Sequence, residues 1–202
     1  MISVYKLKPA FQNLLRPIVR FLAEHKVTAN QITITAFVLS CLVGLMLYLW
    51  GSVCWCVYII LPVFLFIRMA LNAFDGMLAR EYNQKSRLGA ILNEMGDILS
   101  DLALYIPFLY VRGVCVWNIL AFSLLLTLTE TAGIIGVQIQ ASRHYEGPMG
   151  KSDRAFWIGF LSVLALFNWP AQNILNIVVW VINILMVYTV WNRFSGALKE
   201  NK

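Results

Sequence analysis

Residues 27–67 contain no Asp, Glu, Lys or Arg, and neither do residues 113–129, 131–142 and 155–192. A helix needs roughly 20 mostly apolar residues to cross a bilayer, and these runs supply that length several times over. The chain is 60% hydrophobic and 13% charged, whereas charged residues make up about a quarter of an ordinary soluble domain. A soluble globular fold is excluded. The first run is long enough for two spans and divides at Gly51-Ser52, and the last divides at Asn168-Trp169-Pro170. With two spans between them, the pattern predicts an all-α integral membrane protein with six transmembrane helices, at about 31–50, 53–80, 88–112, 115–142, 154–168 and 171–191.

Residues 1–30 read differently. Lys6, Lys8, Arg16, Arg20, Glu24, His25 and Lys26 interrupt any signal-like apolar stretch, while Leu14, Leu15, Ile18, Val19 and Leu22 fall at near-helical spacing. The segment is expected to be an amphipathic juxtamembrane helix on the membrane surface. All Lys and Arg except Arg68 and Arg112 sit in this segment, in the connections at 80–87 and 143–154, or in the tail. The positive-inside rule then places both termini in the cytoplasm of a bacterial-type inner membrane. The net charge of +6 follows from this bias and suits an anionic leaflet, so no nucleic-acid partner is implied. Cys41, Cys54, Cys56 and Cys115 lie in apolar context, and Cys54-Trp55-Cys56 lacks the spacing of a metal thiolate pair. Without repeat or linker, residues 1–202 form a single domain.

Acids and amides inside these apolar helices are the chemical signal. A carboxylate in hydrocarbon costs several kcal/mol unless it has a partner or a function. Asn72, Asp75 and Ala79 share one stripe of the second expected span, with Gly76 beside them; Asn93 and Asp97 share a stripe of the third, which Asp101 continues. The short turn at 81–87 predicts antiparallel neighbours, with Asp75 and Asp97 facing each other near the inner surface. Clustered oxygen ligands where phosphates can arrive outline a hard-cation site. Gly76, Ala79 and Gly89 either leave room for a bulky group at the backbone or serve helix packing.

Taken together, Asn72-Ala73-Phe74-Asp75-Gly76-Met77-Leu78-Ala79-Arg80 and, eight residues on, Gly89-Ala90-Ile91-Leu92-Asn93-Glu94-Met95-Gly96-Asp97 resemble the motif of the CDP-alcohol phosphatidyltransferases, D-x2-D-G-x2-A-R-x8-G-x3-D-x3-D. The departures are Asn72 and Asn93, each where the motif has Asp. Val27-Thr28-Ala29-Asn30-Gln31-Ile32-Thr33 is similar to the family's stretch before its first span. The resemblance implies an enzyme of phospholipid biosynthesis that transfers a phosphatidyl or other substituted phosphoryl group from a CDP-linked lipid, such as CDP-diacylglycerol, to an alcohol, releasing CMP. It implies divalent cations, Mg2+ or Mn2+, on the motif positions Asn72, Asp75, Asn93 and Asp97, with Asp97 as general base. Gly76, Ala79, Arg80 and Gly89 would border the donor nucleotide, and a homodimer is expected. The acceptor alcohol is unknown.

Asn at two motif positions halves the carboxylate charge, because an amide oxygen ligates a hard cation without neutralising it. Glu94 or Asp101 can supply the missing charge, so one or two ions remain open. Arg68 lies one turn deeper than Asn72 and Asp101 one turn deeper than Asp97, which predicts an intramembrane ion pair. Glu130 has no obvious partner in its span, and His25 and His144 read as isolated interfacial residues. Arg143, Lys151 and Arg154 form a positive-inside cluster; Gly150-Lys151-Ser152-Asp153-Arg154 resembles a family stretch facing the active cavity, where these cations would hold an acceptor or donor phosphate. Two other functions compete: a noncatalytic CDP-lipid-binding membrane protein, suggested by the two Asn residues, and an ion-coupled transporter, suggested by intramembrane charge.

Overall fold

The computed structural model describes the backbone of residues 4–200 and the side chains from residue 11 onward; Lys6, Lys8 and Lys202 lie outside the described side chains. The described chain is all-helical: α1 (Val4–Glu24), α2 (Ala29–Trp50), a single-turn 3-10 helix (Trp55–Ile59), α3 (Ile60–Glu81), α4 (Arg87–Val111), α5 (Val116–Gln138), α6 (Lys151–Ala165) and α7 (Gln172–Lys199). Four helical stretches are long and apolar enough to cross a membrane: Ala29–Trp50, Trp55–Glu81, Val116–Gln138 and Gln172–Lys199. The other two expected spans fall short for separate reasons. α4 carries Glu94, Asp97 and Asp101, and α6 has only 15 residues, about 22 Å of helix against a hydrocarbon core of about 30 Å.

Helix ends follow local chemistry. Thr28 caps α2 in a reciprocal box with Gln31: its hydroxyl accepts the Gln31 amide at 3.2 Å, and the Gln31 side chain accepts the Thr28 amide at 2.8 Å. Ser86 caps α4 by accepting the Gly89 amide at 2.9 Å. The connection between α3 and α4 is fastened to the start of α2, because Gln84 Oε1 accepts the Ala29 amide at 2.7 Å. Within α5, the hydroxyls of Ser123, Thr127 and Thr131 donate to carbonyls one turn back, which satisfies polar groups that an apolar helix otherwise leaves bare.

α2 is the organising helix, packing along both α3 and α4. Its approach to α4 is close enough that a Cβ at Gly44 would sit 1.9 Å from the Ala103 carbonyl oxygen, so only glycine fits there. The short turn predicts α3 and α4 as packed neighbours, but they do not pack along each other. They splay apart, each held by α2, and meet through Arg68 and Asn72 on one side and Asp97 and Asp101 on the other. The splay opens a cleft where a packed pair would have closed it. α5 pairs with α7, and α6 crosses α3. The main core joins Leu61 and Phe64 of α3 to Leu104 and Phe108 of α4, Phe122 of α5, Ile158 of α6 and Val179 of α7. A second cluster ties Leu15 and Val19 of α1 to Ile32, Met77 and Leu78. The opposite face of α1, with Leu14, Ile18 and Phe21, is exposed.

Candidate functional site

The cleft between α2, α3 and α4 has a volume of about 460 Å³, and Asp75, Gly76, Ala79, Arg80, Gly89, Asn93 and Glu94 all line it. Seven of the residues that sequence placed in the donor and cation site therefore share one cavity. α2 adds Asn30 and Thr33, which the motif does not contain. Gly89 has a steric reason to be glycine, since a Cβ there would lie 2.7 Å from Asn30 Oδ1 and 2.9 Å from Ser86 Oγ.

The two aspartates have different surroundings. Asp75 is buried, and its Oδ2 accepts the Thr33 hydroxyl at 2.9 Å. Among the described residues, no Lys or Arg nitrogen comes within 4.0 Å of it. Asp97 is surrounded by donors. Its Oδ1 accepts Asn72 Nδ2 at 3.3 Å and Arg68 Nη2 at 3.4 Å, and its Oδ2 lies 2.5 Å from Lys151 Nζ. Asp97 and Lys151 are both near enough to act electrostatically on Asp75.

Arg68 and Asp101 form the expected ion pair, and both are almost completely buried. Asp101 is therefore committed as a counter-ion. A second arginine also holds it: Arg154 Nη2 lies 3.3 Å from Asp101 Oδ2 and 2.7 Å from Glu130 Oε1, while Arg154 Nη1 donates to Thr129 Oγ1 at 2.8 Å. Arg154 is fully buried. It does not line the polar cleft, and its guanidinium is held by Asp101, Glu130 and Thr129. Glu130 has partners after all, in Arg154 and, at 3.9 Å, Arg193. Arg193 also donates to the Thr129 carbonyl. Helical spacing gives no sign of this α4–α5–α6–α7 network, because its members meet only in the assembled bundle.

Arg143 and Glu94 form a two-point ion pair, with Nη2 to Oε2 at 2.8 Å. Glu94 thus lines the cleft with its carboxylate paired to Arg143. His144 is not isolated: Nδ1 lies 3.0 Å from both Glu146 oxygens, and Nε2 lies 2.9 Å from Glu200 Oε2. His25 Nδ1 pairs with the Phe21 carbonyl at 2.8 Å. The four cysteines are free thiols.

Among the described residues, no three His, Cys, Asp or Glu side chains converge as a metal cluster. The donor chemistry nevertheless fits a hard dication at Asp75, whose carboxylate has no ion-pair partner among the described residues and shares its cleft with Asn93. Next to the polar cleft, an apolar groove of about 580 Å³ runs between α3 and α6, lined by Leu65, Phe66, Met69, Phe156 and Phe160, with Arg68, Asn72 and Lys151 at its polar end. Asn72 and Lys151, which both contact Asp97, thus sit at the polar end of this groove, and Asn72 lies one helical turn along α3 from Asp75 in the polar cleft.

Comparison with known proteins identifies the family and the fold. Residues 26–191 match the CDP-alcohol phosphatidyltransferase family model. The chain is 46% identical over 197 residues to inner membrane protein YnbA of Escherichia coli K12, covering 97% of this chain and 96% of that one. It is 25% identical over 194 residues to archaetidylinositol phosphate synthase of Pyrococcus horikoshii, covering 94% and 97%. The phosphatidylinositol phosphate synthase of Mycobacterium tuberculosis with CDP-DAG bound superposes with a TM-score of 0.74 at 19% identity, covering 91% of this chain and 92% of that one. The same synthase in complex with manganese and citrate gives 0.70 at 21% identity, covering 91% and 88%.

Proposed function

The chain belongs to the CDP-alcohol phosphatidyltransferase family, and on that premise we propose that it transfers a phosphatidyl group from CDP-diacylglycerol to an alcohol at the inner membrane. One observation carries the donor assignment: α3 presents Asp75 to the polar cleft and, one helical turn away, Asn72 to the polar end of the apolar groove. An amphiphile with a nucleotide pyrophosphate at one end and acyl chains at the other suits that pair of cavities. Gly76, Ala79 and Gly89 leave the nucleotide close to the backbone, and the Arg80 guanidinium answers the pyrophosphate charge. Asp97 is the general base. It takes the proton of the acceptor hydroxyl as that oxygen attacks the lipid-linked phosphorus in line; the bond to the CMP phosphate breaks, and CMP leaves. Lys151, half-exposed beside Asp97, faces the charge that develops on the transferred phosphoryl group.

A divalent cation, Mg2+ or Mn2+, is proposed at Asp75 with Asn93 and Asn72 nearby, where it would neutralise pyrophosphate charge. The manganese bound by the mycobacterial synthase and the cation-free carboxylate of Asp75 support this. All six long helices after α1 are proposed to cross or enter the bilayer, with both termini and the cleft on the cytoplasmic side. α1 lies at the interface, where its exposed Leu14, Ile18 and Phe21 meet lipid. Family membership supports a homodimer.

Lipid mass spectrometry of cells with and without the protein tests the reading. A new phospholipid headgroup is expected, absent from cells carrying Asp97→Ala, and it names the acceptor. An unchanged lipid profile upon overexpression, with the protein folded in the membrane, would favour the noncatalytic CDP-lipid-binding reading.

A further inference from the structure

We propose that Lys151 is a built-in cation occupying the metal position at Asp97, so that the site binds a single divalent ion, held at Asp75. The surroundings of the two carboxylates carry the assignment. Both Asp97 oxygens already face N–H donors, Asn72 and Arg68 on Oδ1 and the Lys151 ammonium on Oδ2. At 2.5 Å from Oδ2, the ammonium nitrogen fills the space in which a hard cation would sit at about 2.0–2.1 Å.

Asn72 fits the same arrangement. Its amide donates a hydrogen bond to Asp97, which a carboxylate at that position cannot do. A carboxylate there would instead bring a like charge against Asp97 and require another cation between them. Lys151 and Asn72 therefore belong together, one supplying charge and the other a donor, where an ion would otherwise bridge two acids. At Asp75 the situation is reversed, since Thr33 donates to one oxygen and, among the described residues, no Lys or Arg nitrogen comes within 4.0 Å of the carboxylate, Lys151 acting on it only from farther away.

Charge balance agrees. Arg68 is matched by Asp101, Arg143 by Glu94 and Arg154 by Glu130, so Asp75 and Asp97 stand against Lys151, with Arg80 and Lys85 adding positive charge at the cleft wall. One dication already makes the site positive, suited to an incoming pyrophosphate. A second would add two more positive charges with no further carboxylate to offset them and would force Lys151 off Asp97. The assignment rests on reading the cleft as the donor's pyrophosphate site, but counting ions does not require turnover.

Manganese titration of the purified, metal-stripped protein in nanodiscs, followed by the electron paramagnetic resonance signal of free Mn2+, tests it. One bound ion per chain is expected in wild type. Asp97→Asn retains that ion, Asp75→Asn loses it, and the double variant Asn72→Asp/Lys151→Gln gains a second. Two ions per wild-type chain, or none, would overturn the proposal, as would an ion that survives Asp75→Asn but not Asp97→Asn. The wild-type count decides even where a variant fails to fold. CMP release measured on the same samples separates the two readings: one bound ion without CMP release from any alcohol sinks the proposed function and leaves the ion assignment standing.

Discussion

Arg154 joins Asp101 to Glu130, at 3.3 Å and 2.7 Å, with no part of its side chain reaching solvent. Asp101 belongs to α4, Glu130 to α5 and Arg154 to α6, so one guanidinium fastens three helices. The same guanidinium sits three residues, under one helical turn, beyond Lys151 on α6. It therefore fixes the end of α6 that brings Lys151 to Asp97.

Arg154→Ala should destabilise the protein by about 3–5 kcal/mol, because it leaves two buried carboxylates without their shared cation. Unfolding in mild detergent, followed by helical circular dichroism, measures this. Arg154→Lys should recover part of the loss, since a point charge reaches one carboxylate but not both. Wild-type stability in Arg154→Ala would mean that the network is not what fastens α6.

The connection between α5 and α6 should loosen with rising pH. The hydrogen bond to Glu146, with that to Glu200, raises the His144 pKa above its ordinary value, which is about 6.5. The charged clasp is therefore complete below that pH and is lost as pH rises through the elevated folded value. Arg143 and Arg193 lie nearby and keep their charge throughout. Amide hydrogen exchange across 139–150, corrected for the intrinsic rate, should show protection falling over that window in wild type and flat in His144→Gln. A pH-independent wild-type profile would remove the clasp from the account.

Filling the apolar groove should select against long acyl chains. Gly159 lines it, with space for a Cβ at 3.5 Å from Leu65. Gly159→Phe should raise KM for a long-chain donor by roughly tenfold, the worth of about two buried methylenes, and affect a short-chain donor less. Equal losses for both donors would show that the groove does not hold the tails.

Much of this arrangement is legible in the sequence, for identifiable reasons. Charge-free runs and their Gly-Ser and Asn-Trp-Pro breaks locate the helices, because hydrocarbon tolerates few alternatives. Arg68 and Asp101 are legible as a pair because a short turn fixes the relative depth of two helices. The splay of α3 from α4 is not, since it depends on how α2 packs against both, with Gly44 pressed against Ala103. Glu130 meets Arg154 24 residues on, and His144 meets Glu200 56 residues on. Hydropathy sets depth in the membrane but says nothing about which helix faces which. Within the site, Thr33 ends the Val27–Thr33 stretch that resembles the family, but nothing in that stretch shows that its hydroxyl meets Asp75, 42 residues on.

Asp75→Ala and Asp97→Ala should each lower turnover by at least about a hundredfold, since each removes a ligand or a base acting in the transition state. The helical content and detergent stability of Asp97→Ala should change little by comparison, because Asp101 keeps Arg68 paired. Near wild-type turnover in Asp97→Ala would remove it as the base.

The central claim is chemical and is tested most directly by following CMP. Purified protein in nanodiscs, supplied with CDP-diacylglycerol and a panel of alcohols, should release CMP with at least one of them in the presence of Mg2+ or Mn2+. EDTA should stop the release, and the lipid product should carry the alcohol. CMP release that continues at full rate in EDTA would contradict the cation at Asp75, and no release with any alcohol from a folded, metal-loaded protein would contradict phosphatidyl transfer itself.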